Sequence, residues 1–157
     1  MVFCIQSSAF NNNDVIPVRY TCRGEDVSPP LQWQDPPSGT KSLTLVVEDT
    51  DADPQTPEAP WIHWVLYNLP PQCQSLPEGV QTRSLPPGTQ LALNDWKTSD
   101  YNGPCLVNGK HRYRHTLYAL NTVLPDLGKI PGKKLLQIVR QHVLAQSTLT
   151  GEFESNT

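Results

Sequence analysis

The stretch Trp61–Leu69, WIHWVLYNL, decides the fold. At a period of two, Trp61, His63, Val65, Tyr67 and Leu69 fall on one side and Ile62, Trp64, Leu66 and Asn68 on the other. Both sides are mostly apolar, so the segment predicts a central strand covered on both faces. Upstream, Lys41–Asp49 (KSLTLVVED) places Leu43, Leu45, Val47 and Asp49 on one face. Downstream, His111–Leu120 (HRYRHTLYAL) alternates His111, Tyr113, His115, Leu117 and Ala119 with Arg112, Arg114, Thr116, Tyr118 and Leu120. Its polar start and apolar end describe a strand that leaves a solvent-open rim and enters a core.

Shorter strands are expected around Tyr20 and from Leu149 to Phe153. One helix is expected from about Lys133 to Gln146, because Leu135, Val139 and Val143 recur at i, i+4 and i+8 with Leu136 beside them. His142 falls off that stripe and is expected on the helix surface. Strands dominate, so the prediction is a mainly β fold: an antiparallel β-sandwich with a peripheral C-terminal helix, forming a single domain over residues 1–157. The chain's 16 prolines, several in pairs, predict long, stiff, irregular connections between strands.

The formal net charge of −3 offers no bulk attraction to nucleic acid or to an anionic membrane. Only His111–His115 is locally basic, so no nucleic-acid partner is expected. No segment approaches the roughly 20 apolar residues of a membrane helix, and MVFCIQSSAF lacks the features of a signal peptide. A cytoplasmic protein with no integral membrane association is therefore expected, unless a leader once preceded Met1. Cys4, Cys22, Cys73 and Cys105 form no CxxC pair. In a reducing compartment they are expected as free thiols, although an even count leaves disulfides open.

Polar residues concentrate at strand ends: Asp49 and Asp51, His63 near the start of the central strand, His111 at the start of the third. Asn94-Asp95 and Tyr101-Asn102-Gly103-Pro104-Cys105 lie in the loop before it. Were these strands neighbours, one rim would gather carboxylates, two imidazoles and a Gly-Pro loop. Metal hydrolysis is disfavoured because HExxH spacing on a helix is absent. Nucleophilic catalysis is disfavoured because there is no GxSxG elbow, and Cys105 is the sole candidate nucleophile. Binding of a phosphorylated group fits best, with imidazole N–H groups and loop amides meeting phosphate oxygens. Asp49 and Asp51 would then orient the imidazoles or receive an ammonium on the same ligand, as phosphoethanolamine would supply. The chain reads as non-catalytic, with no cofactor and no metal.

Three ordered motifs carry a family resemblance. They are Tyr20–Trp33 (YTCRGEDVSPPLQW), Asp49–Pro70 (DTDADPQTPEAPWIHWVLYNLP), and Asn94–Leu120 with its NDW, YNGPC and GKHRYRHTLYAL segments. They resemble the phosphatidylethanolamine-binding protein family, also called the Raf kinase inhibitor-like family, especially its bacterial and archaeal branch. VLPDLGK and HVLAQSTLTGEF extend the resemblance over nearly the whole chain.

The resemblance implies a large central sheet packed on a smaller one, with a pocket at one sheet end. Its residues would be Asp49, Asp51, Trp61, His63, Tyr101, Gly103, Pro104, Cys105, His111 and Tyr113. It implies a small anionic or phosphorylated ligand, the alternative being inhibition of a kinase or protease through the pocket rim and loops. It also implies a homodimer. The chain departs from the family at Thr50 and Asp53, which are expected to loosen the acidic loop or add charge. It departs again at Leu106 and Val107, where a proline pair is usual, and at Arg114 and His115, which are expected to make their strand more polar.

Overall fold

The computed structural model describes residues 2–53, 55, 60–106 and 108–156. Val107 lies outside the described residues. In chain order the elements are β1 (Cys4–Gln6), β2 (Leu31–Gln34), β3 (Ser42–Asp49), β4 (Trp61–Leu69), β5 (Ser75–Leu76), β6 (Gln90–Leu91), β7 (Asn108–Leu120), α1 (Gly132–Val139) and β8 (Val143–Asn156). All named strand pairs are antiparallel. They form a three-stranded sheet ordered β1-β2-β5 and a five-stranded sheet ordered β6-β4-β3-β7-β8. The three strands legible in the sequence are thus adjacent, with β3 between β4 and β7. No helix among the described residues is long and apolar enough to cross a membrane.

The large sheet has a core on each face. Leu43, Leu45, Val47, Trp64, Leu66, Leu69, Tyr113, Leu117 and Ala119 pack against Ile5, Leu31, Trp33 and Leu76 of the small sheet. Val46, Ile62, Val65, Tyr67, Tyr118 and Leu120 pack against Leu135, Leu136 and Val139 of α1. Full burial of each leucine, isoleucine or valine among them stabilises by about 1.5–3 kcal/mol. The alternation expected for β3 and β7 holds on both faces.

The faces expected for β4 do not hold. Ile62 shares the helix side with Val65 and Tyr67, while Trp64, Leu66 and Leu69 share the other. Two irregularities shift the phase. Glu48 pairs with Ile62 and Val47 with Trp64, which leaves His63 as an extra residue in a β-bulge. A second shift lies between Leu43↔Leu69 and Leu45↔Leu66, where Asn68 adopts a left-handed φ of 60°. Asn68 is held there by its own amide, which donates to the Leu124 carbonyl and accepts from the Leu124 N–H.

Three further expectations are corrected. The helix ends at Val139, not near Gln146. Tight turns then form, with the N–H groups of Gln141 and His142 donating to the carbonyls of Ile138 and Val139, and Val143 begins a strand opposite Leu120. Val143 still packs beside the helix-side core, so the i+8 apolar spacing was satisfied by a strand residue. His142 consequently lies in the connecting turn. The segment at Tyr20 is a 3-10 turn, Val18–Tyr20, begun by Pro17. The strand expected at Leu149–Phe153 runs from Val143 to Asn156 because β7 pairs with it throughout.

Candidate anion-binding site

Asp49 ends β3 opposite Trp61 on one side and Tyr113 on the other. It is buried, and its Oδ2 lies 2.7 Å from His111 Nδ1. Its Oδ1 accepts the Asp51 N–H at 2.8 Å. Tyr113 lies directly across from Asp49, and its hydroxyl pKa is pushed far above the ordinary value, first by burial and then by the Asp49 charge. A carboxylate can only accept, so His111 carries its proton on Nδ1 and leaves Nε2 for other contacts.

His63 approaches the same cluster from β4, placed there by the bulge. Its ring meets Tyr113 edge-on at 5.4 Å and Trp96 edge-on at 4.7 Å. Nδ1 donates to the Asn102 carbonyl at 2.5 Å, and Nε2 makes no hydrogen bond with a described residue. Burial holds the His63 pKa below its ordinary value, against the opposing pull of the Asn102 carbonyl and of Asp49, Asp26 and Asp95. Near neutral pH the ring is therefore uncharged, and Nε2 is a lone-pair acceptor.

The loop that brings Asn102 to His63 is fastened at several points. Buried Asn94 donates to Thr98 Oγ1 and to the Asp100 carbonyl, both at 2.9 Å, and accepts the Trp96 and Thr98 N–H groups. Tyr101 donates its hydroxyl to the Tyr20 carbonyl at 2.8 Å, and the Cys22 N–H donates to the Pro104 carbonyl. The Gly103 N–H donates to Asp26 Oδ1 at 2.9 Å. A Cβ on Gly103 would lie 2.1 Å from the Tyr20 carbonyl oxygen, so only glycine permits this approach. Cys105 is joined to Cys22 by a disulfide, while Cys4 and Cys73 are free. This corrects the expectation of four free thiols: the fold joins two loops that lie 83 residues apart in sequence.

Tyr101, Gly103, Pro104 and Cys105 therefore brace the wall behind His63. The Gly103 amide, expected as a phosphate donor, is already taken. Trp61, 37% exposed, lies edge-on to Trp96 at the rim.

Asp51 is fully engaged by its neighbour across the sheet. It accepts the Arg112 backbone N–H at 2.8 Å and both Nε and Nη2 of the same residue at 2.9 Å. Those bonds hold its carboxyl below the usual range. Asp49 and Asp51 thus each orient a neighbour, His111 and Arg112. Thr50 also tightens the loop: its N–H, which a proline would lack, donates to the Arg112 carbonyl at 3.0 Å. Leu106 packs against the sandwich core. Arg114 pairs with buried Glu48 on the helix face, and His115 is fully buried beside Phe10.

A shallow depression of about 440 Å³ beside His111 is lined by Asp51, Gly109, Lys110, Arg112 and Glu152. A separate cavity of about 300 Å³ lies behind Tyr101 and reaches neither His63 nor His111. Asn102, Trp96, Asp26 and Arg112 were not among the expected site residues. The Asn102 contact uses a backbone carbonyl, which leaves no residue signal; Arg112 was signalled by its place beside His111.

A family model described as phosphatidylethanolamine-binding protein matches residues 6–154. The chain belongs to the phosphatidylethanolamine-binding protein family. A UPF0098 protein of Methanothermobacter thermautotrophicus is 44% identical over 149 residues, covering 94% of this chain and 95% of that one. A UPF0098 protein of Chlamydia muridarum is 38% identical, covering 97% and 99%. Among solved structures, the family homologue CT736 of Chlamydia trachomatis superposes with a TM-score of 0.88 at 37% identity, covering 99% of each chain. Escherichia coli YbcL, described as a member of the mammalian family, superposes with a TM-score of 0.89 at 26% identity, covering 98% and 99%. The family fold, two antiparallel sheets with one helix, is the fold of this chain.

Proposed function

We propose that this protein is a non-catalytic binder of a small oxyanion, phosphate or a phosphorylated head group such as phosphoethanolamine, held between His63 and His111. One observation carries the reading. Two imidazoles flank Tyr113, and each commits Nδ1 to a protein acceptor, Asp49 or the Asn102 carbonyl. Each ring is thereby oriented and keeps one nitrogen for a ligand. The acidic residues are orienting groups in this reading: Asp49 sets His111, and Asp51 anchors the loop through Arg112. With both carboxylates engaged, an ammonium adds little. Phosphate and phosphoethanolamine are expected to bind within about fivefold of each other.

Calorimetric titration and thermal unfolding with each ligand test the proposal. At a hundredfold excess over Kd, linkage gives about 2.7 kcal/mol of added stability. His111→Ala, at a partly exposed position, is expected to abolish it while the protein stays folded. A wild-type protein whose melting is indifferent to millimolar phosphate and phosphoethanolamine overturns the reading.

A further inference from the structure

The tautomer of His63 sets a condition on what can occupy the site. Its Nδ1 proton is held by the Asn102 carbonyl, so Nε2 presents a lone pair. A fully ionised oxyanion presents only lone pairs as well. Two acceptors at contact repel, and a buried position keeps water from relieving the mismatch. One proton must lie between them. We infer that the ligand is an oxyanion able to carry a proton, such as a phosphate monoester, and that one proton is bound with it between a ligand oxygen and His63 Nε2. This rests on the anion-binding reading and adds the ligand's protonation class to it.

The surroundings accommodate that proton. Asp49 from β3, Asp26 from the loop beside Gly103 and Asp95 from the segment after β6 all act on His63 electrostatically, and each favours added positive charge. Tyr113 and buried His115 come from β7, His115 opposing a charge on His63. Each carboxylate is meanwhile held by its own partner: Asp49 by His111, Asp26 by the Gly103 N–H, Asp95 by the Ile62 N–H and Lys133. Before a ligand binds, burial favours the neutral form of His63. An arriving anion supplies the missing compensation, and the O–H···N bond forms without breaking any of these contacts.

The two sources of the proton balance in the same way. Below the second ionisation of a phosphate monoester, near pH 6, the ligand brings the proton as P–O–H. Above it, the dianion and one proton from solvent enter together. A diester has no such ionisation, so its proton would have to reside wholly on buried His63.

Methyl phosphate and dimethyl phosphate are the probes, titrated by calorimetry from pH 5 to pH 8 in pairs of buffers with different ionisation enthalpies. At pH 8, methyl phosphate is expected to take up about one proton per ligand bound, and at pH 5 close to none. Its Kd should rise about tenfold per pH unit above the ligand's second ionisation, and dimethyl phosphate should bind at least about tenfold more weakly. His63→Gln replaces the lone pair by an amide donor and leaves His111 in place. It should bind methyl phosphate with about one proton fewer taken up at pH 8 than wild type takes, and with the two esters brought closer together. If both esters bind wild type equally, with no proton uptake, this inference fails while the anion reading stands. If neither binds at any pH, both fail.

Discussion

His115 makes this protein acid-sensitive by an amount that can be worked out. The residue is 1% exposed, packs its ring 5.6 Å from Phe10, and leaves Nδ1 buried without a hydrogen-bond partner among the described residues. Burial lowers its pKa to about 4, outweighing the nearby carbonyls of Tyr113 and Leu149. The unfolded chain takes up the proton near pH 6.5, so it binds more protons than the folded chain between about pH 6.5 and pH 4. Stability therefore falls as pH falls through that window. The full drop corresponds to about 3 kcal/mol, of which about 2 kcal/mol is lost by pH 5. For a chain of this size that lowers the melting temperature by about 4–8 °C. His63, also held below its ordinary pKa, adds to the same slope. The assay is urea unfolding of wild type and His115→Phe at half-unit steps from pH 7.5 to pH 4.5. The variant is expected to lose about 2 kcal/mol less than wild type between pH 7 and pH 5. Parallel stability curves for the two proteins would refute the reasoning.

Reduction of Cys22–Cys105, which closes an 83-residue separation, is expected to cost about 2–4 kcal/mol. A reductant should lower the wild-type melting temperature and leave that of the Cys22→Ser/Cys105→Ser double variant unchanged. Such bonds persist in oxidising compartments and are opened by cytosolic reductants, so the cytoplasmic location expected from the N-terminus stands against this bond; thiol counting on protein from its native source decides between them. Gly103→Ala places a methyl group against the Tyr20 carbonyl and should cost about 2 kcal/mol or more in urea unfolding, with Kd for phosphate raised if the protein stays folded. Thr44→Val removes a fully buried hydroxyl that has no hydrogen-bond partner among the described residues and keeps the shape, so a gain of about 1 kcal/mol is expected in the same assay.

The parts of the fold that were legible are those where side-chain chemistry marks the phase. In β3 and β7 no irregularity against each other interrupts the period of two, so each residue faces the side its position predicts. β4 is apolar on both sides, so nothing in its letters marks where the phase slips, and the bulges at His63 and Asn68 stayed hidden. The helix was overextended because Val143 satisfies an apolar spacing whether it continues a helix or opens a strand. At the site, Asp49, His63, His111 and Tyr113 were legible because they lie at the same end of three adjacent strands. The occupancy of their atoms was not. Nothing in the spacing of the four cysteines marks which two join, Asp51 could have faced a ligand as readily as Arg112, and Gly103 could have offered its amide to a phosphate rather than to Asp26.

The placement of β3 between β4 and β7 also bears on when the site comes into being. β4 follows β3 closely in the chain, whereas Asp49 and His111 are separated by 62 residues. Such remote pairings bear a large loop-closure entropy before any contact rewards it, and they set slow folding rates. A chain that has formed only the β3–β4 hairpin has Asp49 and His63 in place, with no His111 to complete them. Competence to hold a ligand thus waits on the β3–β7 pairing. Ligand binding followed during refolding would time that pairing, where a probe on β4 would report only its local half.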